Sequence, residues 1–98
     1  MSNAVEEVNV PKGCVPEYKV HDPELVRLAL EETGFFYEDI VMPSGRKTND
    51  ASIRVEGESR PVASYYEFGD QKRLQLGNRD RPGFPVYHGI MIDTIKDL

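Results

Sequence analysis

The chain has 98 residues, of which 39% are hydrophobic and 30% charged, with a net charge of −5 and an isoelectric point near 5.0. That allows one domain over residues 1–98 with a thin core, and no apolar run nears the ~18–20 residues that cross a bilayer. An acidic chain is poorly suited to nucleic acid, which calls for a basic stripe to displace counterions from phosphate.

The opening residues carry no basic-then-apolar leader. The single cysteine, Cys14, excludes an intrachain disulfide and a multi-cysteine zinc site, so a reducing, cytoplasmic setting is expected. Charge is spread unevenly. Residues 1–40 hold nine acids against Lys12, Lys19 and Arg27, whereas residues 41–98 hold eight acids against nine bases. Such a dipolar surface suits packing on a second copy or on another protein.

Residues 1–20 read as an arm. Val8 and Val10 alternate around Asn9 in a short strand-like segment, and Pro11 and Pro16 interrupt any regular element beyond it. Residues 22–34 then predict a helix. Asp22 suits the N-cap, Pro23 the first helical position, Glu24 the positive end of the dipole and Gly34 the position beyond the last turn. Leu25, Val26, Leu28, Ala29 and Leu30 supply a wide apolar stripe.

Residues 35–92 predict an antiparallel sheet. Residues 35–42 are β-prone, and Pro43, Ser44 and Gly45 turn the chain. Ala51, Ile53 and Val55 alternate with polar residues in the cleanest half-buried strand. Residues 62–68 alternate next, Leu74 and Leu76 mark a short fourth strand, and residues 86–92 read as a fifth. Asp93 would cap a final helical turn. Short connections make the strands antiparallel neighbours. The expected fold is therefore α+β: one N-terminal helix on a four- to five-stranded antiparallel meander, able to curl into a cone, preceded by the strand-like arm.

The candidates for chemistry are sparse. Cys14 has no nearby base to favour its thiolate and reads as inert. The two histidines, His21 and His88, lie at no metal-ligand spacing, so no metal and no cofactor is expected. His88 shares a strand face with Val86, Ile90 and Ile92 in this reading, which makes it a candidate ligand-binding group. The stretch from Ser44 to Thr48 resembles a phosphate loop only superficially, because Arg46 separates Gly45 from Lys47. What remains there is a basic turn.

Tyr65 and Tyr66 must face opposite sides of their strand. If the helix covers Tyr66, Tyr65 lies on the open face near Arg54, Glu56 and Glu67 as an interface anchor; both are candidate ligand contacts. Glu31 and Glu32 oppose the helix dipole and so mark a candidate interface with Val8 and Val10. Lys72, Arg73, Arg79 and Arg81 would complement them. No nucleophile–base pair is evident. Two functions are expected: first a non-catalytic interaction module that self-associates, with a dimer favoured; alternatively a small-molecule binder or small enzyme with a pocket between helix and curved sheet.

Overall fold

The computed structural model describes residues 4–8, 16–76 and 85–98. In chain order its elements are β1 (Val5–Val8), β2 (Glu17–Val20), α1 (Pro23–Glu32), β3 (Phe35–Val41), β4 (Lys47–Val55), β5 (Ala63–Phe68), β6 (Gln71–Leu76) and α2 (Pro85–Ile95). The strands form one antiparallel sheet in the order β1-β2-β6-β5-β4-β3. The α+β architecture stands, with two helices and six strands among the described residues where one helix and four or five strands were expected. Among the described residues β1 and β3 are the outer strands, and the sheet does not close on itself.

α1 obeys its capping signals. Asp22 accepts from the Leu25 N–H at 3.2 Å, Pro23 opens the first turn, and Gly34 follows the helix at φ 102°. Val26 and Leu30 are fully buried, whereas Leu28 is 60% exposed. The stripe is therefore narrower than the apolar residues alone suggest.

Register fixes which side of the sheet is inside. Ile53 pairs with Ala63 and Ala63 with Leu76, while Tyr65 pairs with both Ala51 and Leu74. Partners opposite one another share a face. Val5, Val20, Phe35, Ile53, Ala63, Tyr65, Leu74 and Leu76 accordingly join Val26 and Leu30 of α1 and Met91 and Ile95 of α2 in one core. Both helices thus contribute to one side of the sheet.

Three sequence expectations are corrected. Tyr65 is only 7% exposed and lies on the covered side, because its register with Ala51 places it on Ile53's face; Tyr66 is the one on the uncovered side. Residues 86–92 are not a strand but part of α2. Met91 and Ile95 are fully buried, Tyr87, His88, Ile92 and Leu98 are half-buried, and Val86 and Ile90 are 71% and 40% exposed. That spacing follows a 3.6-residue period, and a short apolar run satisfies either period until its burial is known. Finally, the first strand is Val5–Val8, paired with β2 in the same chain. The half-buried Val8 ends it at the sheet edge, and Val10, Cys14, Arg79 and Arg81 lie outside the described residues.

The helical assignment of α2 has a direct check in urea denaturation. Met91→Ala should cost about 2–5 kcal/mol as a buried large-to-small change, and Ile90→Ala about 0.5 kcal/mol or less at its exposed position. An alternating strand with Ile90 inward would reverse that order.

Candidate functional site

The covered face of the sheet is apolar at one end and polar at the other. Along β3 the inward positions run Phe35, Tyr37, Asp39; along β5 they run Ala63, Tyr65, Glu67. β6 matches them with Leu76, Leu74 and Lys72. The helices cover the apolar end. At the polar end a cleft of about 380 Å³ lies between the first turns of α1 and the sheet, lined by Glu24, Arg27, Tyr37, Asp39, Lys47 and Thr48 among others. Its size falls in the ~300–1,000 Å³ range of small-molecule sites.

A bulge shapes the cleft. Asp39 pairs with Ala51, but Val41 pairs with Lys47, so two steps along β3 are matched by four along β4. The extra residues are held by side chains rather than by the ladder. Thr48 Oγ1 donates to the Ile40 carbonyl at 2.7 Å and accepts from the Asp50 N–H at 3.2 Å. Asp50 in turn accepts from the Glu67 N–H at 3.0 Å. Bulges bend a strand and re-aim its side chains. Here the bulge brings Lys47, Thr48 and Asn49 to the cleft, which gives the basic turn seen in the sequence a structural setting.

Two tyrosines form an aromatic wall. The Tyr37 and Tyr65 rings lie 6.1 Å apart at 45°, and the Arg27 guanidinium sits 5.1 Å from the Tyr37 centroid. Tyr65 donates its hydroxyl proton to Glu67 at 2.7 Å. The Tyr37 hydroxyl has no hydrogen-bond partner among the described residues. Burial first, then the hydrogen bond to Glu67, holds the Tyr65 hydroxyl above the usual tyrosine range. Burial also raises Tyr37, against the opposing pull of Arg27's charge.

The charges around this wall differ in how far they are committed. Lys47 and Asp39 pair at 3.1 Å. Arg27 reaches Glu31 only at 3.8 Å through Nε and makes no hydrogen bond among the described residues. Glu24 has no ion-pair partner among them. Donors and acceptors of both signs therefore remain open to a ligand.

The sequence-predicted residues do not converge. Tyr65 lines this cleft. Tyr66 lies on the opposite face, where its hydroxyl donates to Glu17, and Glu17 also meets Arg73 at 3.4 Å. His88 is not part of the cleft lining: its Nε2 lies 3.1 Å from the Val62 carbonyl, and a carbonyl only accepts, so Nε2 carries the proton. Glu31 and Glu32 are exposed at the end of α1, and Val8 at the edge of the sheet faces away from the cleft. Arg27, Tyr37 and Lys47 were missed as site residues. Their signal was available in the shift from apolar to polar along successive inward positions of β3 and β5. Among the described residues no three His, Cys, Asp or Glu side chains gather as a metal site, and no helix is long and apolar enough to cross a membrane. No protein-family model matches the chain, and no curated protein or solved structure is significantly similar to it.

Of the four tyrosines held above their ordinary range, Tyr37 and Tyr65 are raised furthest and make a pH prediction. Their folded values exceed the unfolded value of 10.0, so the stabilisation from holding them neutral is complete below that pH and is lost as pH rises through the folded values. Phenolate absorbance should show a late-titrating class that loses one member in Tyr37→Phe and one in Tyr65→Phe. Thermal stability of the wild type should fall more steeply above pH 10 than that of Tyr37→Phe.

Proposed function

We propose that the chain is a small-molecule binding protein whose site is the cleft between α1 and the bulged end of the sheet. The observation that carries this reading is the set of lightly committed polar groups around an aromatic wall: the Arg27 guanidinium, 3.8 Å from Glu31, and the Tyr37 hydroxyl and Glu24 carboxylate, which have no partner among the described residues. A structural ion-pair network consumes its charges internally, as Lys47 and Asp39 do. Glu24 does not among the described residues, and Arg27 meets Glu31 only at the long distance of 3.8 Å. Side chains of this kind in a concave site give a ligand its orientation, while ring faces supply the apolar contact.

The test is a fragment panel followed by NMR on the full chain. Binding should move the ring signals of Tyr37 and Tyr65 and leave those of Tyr66, on the far face, in place. A panel that moves none of them, or moves Tyr66 alone, counts against the cleft.

A second reading, self-association, draws on an outer strand of the sheet. Phe36, Ile40, Val41 and Met42 are each between 41% and 50% exposed on or beside β3. This apolar surface lies at an outer strand of the sheet, beside the charged Glu38 and Asp39, and a second copy would supply the same edge by symmetry. Light scattering should then report a dimer that dissociates when Ile40→Lys and Val41→Lys are combined, with the circular dichroism spectrum unchanged. A wild-type monomer at high micromolar concentration would argue against edge pairing.

A further inference from the structure

The order of charges along the tyrosine wall narrows the ligand class. At one end Arg27 lies over the Tyr37 ring, 5.1 Å from its centroid, next to a hydroxyl with no partner among the described residues. At the other end Tyr65 donates to one carboxylate oxygen of Glu67 and leaves the second free. Glu24 adds another uncommitted carboxylate from the first turn of α1. A purely anionic ligand would meet Glu24 and Glu67 without compensation. A purely cationic one would meet Arg27, which already takes the cation position on the ring. Lys47 alters neither case, because Asp39 neutralises it at 3.1 Å.

Resting on the small-molecule reading of this cleft, we propose that it takes a small zwitterion carrying a flat apolar group, of the free aromatic amino-acid kind. Its carboxylate accepts from the Arg27 guanidinium and the Tyr37 hydroxyl. Its ammonium group donates to Glu67 and Glu24, and its apolar portion lies against the two rings. The planar fork of Arg27 suits a carboxylate, which accepts two parallel N–H bonds. A pair of aromatic faces suits a ring.

Three probes share a phenyl group and differ only in their charged ends: L-phenylalanine, phenethylamine and 3-phenylpropionate. Calorimetric titration of the full chain should give an affinity for phenylalanine at least about tenfold above that for either analogue, the loss expected when a charge-assisted hydrogen bond is left unmade. Arg27→Gln should weaken phenylalanine about tenfold or more and leave phenethylamine as tight or tighter, because the cation no longer meets the guanidinium. Glu67→Gln should mirror this, weakening phenylalanine and leaving 3-phenylpropionate as tight or tighter. The proposal is overturned if one analogue binds as tightly as the amino acid, or if Arg27→Gln weakens phenylalanine and phenethylamine equally. If none of the three binds while the wider fragment panel still moves Tyr37, the zwitterion assignment fails and the cleft remains a binding site. If the panel also fails, both readings fall.

Discussion

Among the described residues both helices lie on one face of the six-stranded sheet, and the alternation phase of β4, β5 and β6 decides which. Once Ile53 points inward, register carries Ala63 and Leu76 to the same side, and Tyr65 and Leu74 follow. Reversing the phase would expose all of these together, because side chains alternate strictly along a strand. The uncovered face must then be satisfied by polar contacts. Glu17, Tyr66 and Arg73 supply them, tying β2, β5 and β6 together on the face opposite the two described helices.

The same constraint produces the cleft. With one layer of helices, the apolar end of the covered face takes Leu30, Met91 and Ile95, and the helices cover no more of it. The inward positions beyond that end turn polar in step across β3, β5 and β6. A regular hairpin between β3 and β4 would continue the ladder past Asp39. The bulge interrupts it instead, and Thr48 and Asp50 satisfy backbone groups that the ladder would otherwise have paired. The cleft is thus a consequence of where the core ends and how the neighbouring strand bends.

Local signals made α1 legible from the sequence, since Asp22, Pro23 and Gly34 each act within one turn of the helix. β3 to β6 were legible as alternating segments. Their facing was not, because the phase of β5 depends on its register with β4, which lies outside any short window. Tyr65 and Tyr66 were exchanged for that reason alone. Residues 85–95 failed differently. Val86, His88, Ile90 and Ile92 alternate well enough for a strand, and Gly89 weakens any helical signal. Only the continuation through Met91, Ile95 and Leu98 separates the two periods. β2 was hidden because Pro16 immediately precedes it, and its strand character rests on just Tyr18 and Val20. The cleft suffered from both difficulties, being assembled from α1, β3, β4 and β5 at positions whose facing only register defines.

Arg27 shows why a residue that looks engaged can still be available. Its stacking on Tyr37 is a cation–π contact worth about 0.5–1 kcal/mol at an exposed site. Its contact with Glu31, at 3.8 Å between exposed side chains, adds about 0–1 kcal/mol. A hydrogen bond to a charged partner is worth about 1.5–3 kcal/mol, so redirecting the guanidinium toward a carboxylate exchanges weaker contacts for a stronger one. The reversed orientation of the Arg27–Glu31 pair, which makes little sense as helix stabilisation, leaves the guanidinium lightly restrained. Tyr37 meanwhile keeps the ring beneath it in place through the core around Phe35 and Tyr65. A firm aromatic floor and a loosely held cation above it are the combination that selects a ligand by its charged end.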